Sequence, residues 1–299
     1  MERLKSYIFK KSLFTRGLIG AVFLLTLVGA LLSCDDQGRR FSFGQTRSDA
    51  FNSSVEKTIQ ELFQKYVTNE SLVRYAKWLQ NGDDLSLLDS VVKAIAENDD
   101  SSFTVDQKKA FYINAYNVLT VDLILDHFDE TLGTSSSPFP QVRSIQNISN
   151  LGPEVWNHFY WTVSGKRMNL NDIEHKILRP FGDARIHFAI VCASKGCPPL
   201  QAEVFTSDTI NSDLDKLSKR FVNSGKDTIF DKEHKRINTS QILNWFEDDF
   251  KNHFGSLMKF FRQYVEVLNP EELSDYSIHF IDYDWVLNEA PSGSGTETL

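Results

Sequence analysis

The segment 108–119, running on to about His127, constrains the fold most. It reads Lys108-Lys109-Ala110-Phe111-Tyr112-Ile113-Asn114-Ala115-Tyr116-Asn117-Val118-Leu119, apolar around most of a helical circumference. A helix of that kind cannot lie on a surface and has to be wrapped by other elements. Thr104 and Gln107 have the spacing of a capping box that opens it. Asn114 and Asn117 stand one turn apart within it. A buried amide without partners costs about 1–3 kcal/mol, so the pair predicts a buried polar network.

The other elements arrange themselves around this helix. Ser53-x-x-Glu56 resembles a second capping box, followed by apolar residues at helical spacing from Val55 to Val67. Short helices are predicted around Tyr75 and from Leu85 to Ile95. Residues 159–163 and 166–170 flank Ser164-Gly165 as a β-hairpin. Asn171-x-x-Glu174 is placed to cap a helix that runs to Leu178 and stops at Pro180. Residues 185–192 (Arg-Ile-His-Phe-Ala-Ile-Val-Cys) read as a central strand. Residues 207–222 form an amphipathic helix, and Ile229-Phe230 pairs with Arg236-Ile237. Helices follow at 242–250 and 257–265, then a late strand over 278–287. Trp78, Trp156, Trp161, Trp245 and Trp285 read as core residues rather than a ligand cage. The fold class is α+β, a mostly helical single domain around a small sheet.

Before the domain lies an address. Residues 1–33 hold five basic residues and one acidic, with an apolar run of 17 from Gly17 to Ser33. This reads as a secretory signal peptide. Leu31-Leu32-Ser33-Cys34 resembles a bacterial lipobox, in which Cys34 is lipidated after cleavage before it; an uncleaved anchor is the alternative. The expected organisation is a signal peptide (1–33), a lipidated tether (34–52), a globular domain (53–289) and a flexible tail (290–299). The expected partner is a membrane, reached through the lipid anchor, with the domain facing the periplasm or exterior of a bacterial envelope. The whole chain carries 32 basic and 40 acidic residues, a net charge of -8. Without residues 1–33 the balance is more acidic still, and no basic patch suggests nucleic acid.

Lipidation would leave two cysteines, Cys192 and Cys197. An exported setting permits a small-loop disulfide between them. Around them the sequence supplies Glu174, His175 and His187, with Asn114 and Asn117 from the buried helix. Cys197 sits in a turn before Pro198, where a helix could start and lower its thiol pKa. Glu174 and His175 are adjacent, so on an ordinary helix they face different directions.

Three of these stretches resemble the domain-of-unknown-function 547 family. They are residues 109–117, residues 170–175 and residues 185–200, and Tyr283-Asp284-Trp285-Val286-Leu287-Asn288 resembles a closing segment of bacterial members. The resemblance covers about 108–223. It supplies positions, namely Asn114, Asn117, Glu174, His175, His187, Cys192 and Cys197, but no reaction. Three readings stay open. One is a surface binding or scaffold module whose site is pinned by a Cys192–Cys197 disulfide. Another is a papain- or transglutaminase-like hydrolase or acyl transferase. There Cys197 is the nucleophile, His175 or His187 the base, and Glu174 or Asn114 the orienting group. The third is a metal site from His175, His187, Cys192 and Cys197. The first two readings, which lead, call for no cofactor and no metal, and no substrate is implied.

Overall fold

The computed structural model describes residues 54–291. The expected signal peptide (1–33), the expected tether with Cys34 (34–52), Ser53 and most of the expected tail lie outside the described residues. No described helix is long and apolar enough to cross a membrane.

The first four helices are α1 (Glu56–Tyr66), α2 (Tyr75–Trp78), α3 (Gly82–Glu97) and α4 (Val105–Asp126). The capping box at α4 is formed, with Thr104 accepting from the Gln107 amide and the Gln107 side chain accepting from the Thr104 amide. Every residue from Lys109 to Leu125 is buried, so α4 is the axis around which the domain is wrapped. By contrast α1 begins at Glu56 after Val55 with no side-chain cap.

The polar residues of α4 hold the wrapping in place. Asn114 Nδ2 donates to Phe205 O at 2.7 Å, and Phe205 N donates back to Asn114 Oδ1 at 3.1 Å. Asn117 treats the next loop in the same way, donating to Ala189 O at 2.9 Å and accepting from Val191 N at 3.0 Å. Lys109 pairs with Asp183 at 2.9 Å. Lys109, Asn114 and Asn117 thus meet partners outside the helix, while Thr120 donates to Tyr116 O within it at 2.9 Å, as low-dielectric burial requires.

Segment 185–192 is not a strand. Ala184–Phe188 forms a 3₁₀ turn, started by the Asp183 side chain accepting from Arg185 N. The physical reason lies in Asn117. Its amide supplies the donor and acceptor that a neighbouring strand would have offered to Ala189 and Val191. An apolar run with no period cannot tell these two solutions apart.

After α5 (Val155–His158), strands β1 (Trp161–Val163) and β2 (Lys166–Met168) pair antiparallel. Ser164 and Gly165 have φ of 47° and 73°, the left-handed pair that tight hairpins use. The next helix, α6 (Leu170–Asp172), is capped by Asn169 in a box with Asp172, not by Asn171 with Glu174. It widens into a π turn over Ile173–Leu178.

Helix α7 (Ile210–Asn223) packs on α4, as do α3, α6 and the π turn. A three-stranded sheet follows, with β3 (Thr228–Asp231) antiparallel to β4 (Arg236–Ser240) and β4 parallel to β5 (Ser277–Ile281). The parallel pair needs a crossover, supplied by α8 (Ile242–Trp245), α9 (Glu247–Phe254) and α10 (Leu257–Tyr264). The late strand ends at Ile281. Beyond it the chain leaves the sheet and makes two isolated bridges, Leu287 to Ser194 and Glu289 to Val73. The α+β architecture, mostly helical with two small sheets, is the expected one.

Candidate functional site

A cavity of about 200 Å³ opens where these pieces meet. Helix α4 gives Tyr116, the π turn gives Glu174 and His175, and the 3₁₀ turn gives His187. The loop braced by Asn117 gives Ile190, Cys192 and Cys197. The remaining wall is aromatic, with Trp156 from α5, Trp245 and Phe246 at the end of α8, and Tyr283 and Trp285 beyond β5.

Glu174 and His175 both line this space despite being consecutive. The π turn that carries them is a rare helical widening, common at functional sites. Glu174 is mostly buried, while His175 is exposed at the rim.

The two cysteines are free thiols, so the expected disulfide is not formed. Each sulfur is engaged elsewhere. Cys197 Sγ accepts from Cys192 N at 3.1 Å and lies 3.9 Å from Ile190 O. Cys192 Sγ lies 3.0 Å from the Tyr283 hydroxyl and 3.1 Å from Ser194 Oγ, and Ser194 Oγ donates to Tyr283 at 3.0 Å. Ala193, between Cys192 and Ser194, has φ of 57°. A non-glycine residue in this region is strained by about 1–2 kcal/mol. The kink folds Ser194 back onto the Cys192 sulfur. Backbone bonds from Lys195, Gly196 and Asn288 lace the loop to residues 284–288. A Cβ on Gly196 would stand 2.8 Å from Asp284 N, so only glycine permits this approach.

These surroundings separate the thiols. The Cys197 hydrogen bond is the main influence holding the Cys192 thiol below its ordinary value, helped by Ser194 and Tyr283 against the effect of burial. Burial, then the hydrogen bond with Cys192 and its charge, pushes Cys197 well above it. No helix starts at Pro198, so the feature expected to activate Cys197 is missing. The thiol more easily ionised is Cys192.

Behind the thiols runs a line of proton-bearing groups. Burial, then the nearby Cys192 charge, pushes the Glu174 carboxyl up to about 7, against the pull of Arg179. Its Oε2 is 3.4 Å from the Tyr116 hydroxyl and its Oε1 is 3.8 Å from His187 Nδ1. His187 Nε2 lies 2.8 Å from Asp249 Oδ2. Burial works to raise Asp249, but bonds from His187 and Arg179 outweigh it and hold the carboxylate well below its usual range. Arg179 grips Asp249 with Nε at 2.7 Å and a second nitrogen at 2.9 Å. An ionised Asp249 requires the His187 proton on Nε2, which leaves a lone pair on Nδ1 facing Glu174. Burial keeps His187 itself neutral despite Asp249. Phe246 stacks on its ring at 3.8 Å. His175 Nδ1 accepts from Arg179 at 2.7 Å, and burial and that cation lower its pKa.

The structure therefore brings together Glu174, His175, His187, Cys192 and Cys197. It places Asn114 away from the cavity as a brace for Phe205. Asn117 holds the loop on which Cys192 stands. Reasoning from sequence alone does not reach Tyr116, Arg179, Asp249 or Tyr283. Trp78 is core, but Trp156, Trp245 and Trp285 line the site. Among the described residues no group of three or more His, Cys, Asp or Glu side chains is arranged to hold a metal.

Residues 101–222 match the profile of a family described as Protein of unknown function, DUF547. This stretch is a DUF547 domain. No curated protein and no solved structure matches the chain. The DUF547 segment contains both thiols, Glu174, His175 and His187. Asp249 and the Trp245–Trp285 wall come from the chain that follows it.

Proposed function

We propose that the protein is a thiol-dependent acyl-transfer enzyme, a hydrolase of amides or esters, with Cys192 as nucleophile. One observation carries this reading. The Cys192 thiol, held toward its ionised form by three hydroxyl or thiol neighbours, opens into the same cavity as a carboxyl that burial keeps protonated near neutrality. Paired groups with pKa values pushed in opposite directions are what acid–base chemistry at neutral pH needs.

The steps balance on these residues alone. The Cys192 thiolate attacks the acyl carbon and forms a C–S bond. Glu174 gives its proton to the departing amine or alcohol as the old bond breaks. Water then attacks the thioester while the Glu174 carboxylate takes a proton from it. The acid leaves, and the Cys192 thiolate and the Glu174 carboxyl are restored. His187, fixed by Asp249 and Arg179, turns its Nδ1 lone pair toward Glu174 at 3.8 Å and places a neutral acceptor rather than a second charge beside that carboxyl.

Residues 17–34 support a location on the outside of a bacterial membrane, anchored through Cys34. Lipidation consumes that thiol and leaves Cys192 and Cys197 for the domain.

The aromatic wall favours a second reading, a binding module without chemistry. The two differ in one test. After incubation with p-nitrophenyl acetate, the purified Glu174→Gln variant, which lacks the base that activates water, gains one acetyl group, found on Cys192 by peptide mass. An absent adduct, or one on another residue only, overturns the enzymatic reading.

A further inference from the structure

The lining of the cavity says which acyl groups it admits, provided the thiol reading above holds. No lysine or arginine lines it. Arg179, which touches His175 at the rim, is taken up by Asp249 in a two-pronged pair. Of the titratable groups that line the cavity, Cys192 and Glu174 are negative when ionised, and burial disfavours the charged form of both imidazoles, His175 and His187. An anionic ligand would meet Cys192 and Glu174 at short range in a poorly hydrated space, where like charges repel far more than in water.

The opposite wall offers flat apolar surface. Trp285 contacts three rings, with centroids 4.5 Å from Tyr283, 5.7 Å from Trp245 and 5.9 Å from Trp156. Trp245 and Trp285 are nearly parallel, at 24°. Trp245 is 47% exposed, a large apolar ring left open at the mouth of a cavity rather than packed away.

We infer that the acyl group taken by this cavity carries no negative charge and lays a flat apolar face against the Trp245–Trp285 wall. An aromatic or similarly planar acyl group fits; a dicarboxylic half-ester does not.

Alkylation of Cys192 tests this without knowledge of the natural substrate. The purified protein is treated with iodoacetate, iodoacetamide or N-benzyl iodoacetamide, and modification of Cys192 is timed by peptide mass. N-acetylcysteine supplies the reference rates. Relative to that reference, iodoacetamide outpaces iodoacetate at least about tenfold, the effect of one pKa unit's worth of charge repulsion. The benzyl reagent gains about fivefold over iodoacetamide, the size of one aromatic contact. The gain disappears in Trp245→Ala, whose exposed ring can be removed with the fold intact. Equal rates for iodoacetate and iodoacetamide, or no benzyl advantage, overturn the inference and leave Cys192 a nucleophile. No modification of Cys192 by any reagent overturns the acyl-transfer reading, and this inference with it.

Discussion

Glu174→Gln makes the protein more stable above neutral pH and disables it as an amidase. The stability half follows from the carboxyl's position. Burial raises Glu174 from 4.5 to about 7, so the folded state binds a proton that the unfolded state has already released between those values. A group raised in this way contributes its full stability below about pH 4.5 and loses it as pH climbs through about 7. Well above neutrality the buried carboxylate costs about 3 kcal/mol. Glutamine has the same shape and no charge. At pH 8.5 the variant gains about 2–3 kcal/mol, or about 5–10 °C in Tm for a domain of this size. At pH 4.5 the gain vanishes. The functional half is a loss of about 10²–10⁴-fold on an anilide substrate, whose leaving amine needs a proton. A p-nitrophenyl ester, whose leaving group departs unprotonated, still acylates Cys192. The thioester then accumulates, because no base activates water. Thermal melts at the two pH values and turnover of the two substrates check both halves. Equal gains at both pH values, or full anilide turnover, would contradict the assignment.

Cys192→Ala removes turnover altogether, a fall of at least about 10³-fold, as expected when a covalent nucleophile is lost. Its packing cost is small, since alanine fills a site next to polar neighbours rather than a closed apolar core. Cys197→Ala behaves differently. Cys197 does not attack; its hydrogen bond helps ionise Cys192. Losing it weakens the reaction near pH 7 and moves the acidic limb of the rate profile to higher pH, while turnover survives at alkaline pH. Cys197→Ala also leaves the Cys192 N–H without its partner, costing about 1–3 kcal/mol. The kcat/KM profiles of the two variants against pH separate these roles. A dead Cys197→Ala beside an active Cys192→Ala would restore the assignment suggested by the turn before Pro198.

How much of this was readable in the chain depends on how local the signal is. Thr104 and Gln107 announce the start of α4 because capping is settled within four residues. Ser164-Gly165 announces the hairpin for the same reason. Asn114 and Asn117 could be read as buried amides needing partners, though not which loops they hold. Segment 185–192 misleads because Asn117, about 70 residues earlier, satisfies the backbone that a strand would otherwise pair. Asp249 is invisible for a similar reason. It lies in Glu247-Asp248-Asp249 at the start of an amphipathic helix, where acidic residues usually serve the helix dipole. Nothing nearby shows that Arg179 and His187 reach it. Glu174 and His175 read as facing different directions, because the π turn that lets both line one cavity leaves no trace in spacing. Trp245 and Trp285 carry the composition of core residues, and only their seats at the cavity set them apart from Trp78. Choosing Cys192 over Cys197 required knowing which sulfur has neighbours that favour its ionised form, which depends on Tyr283 and Ser194.

The central claim is that Cys192 is an activated thiol and Cys197 is not. Iodoacetamide labelling of the native protein across pH 5–10, resolved by residue, tests it most directly. The account predicts that Cys192 labels with a midpoint clearly below the ordinary thiol value of about 8.5, and that Cys197 stays unlabelled until the protein unfolds. Labelling of Cys197 first, or of both thiols together at the ordinary midpoint, would contradict it.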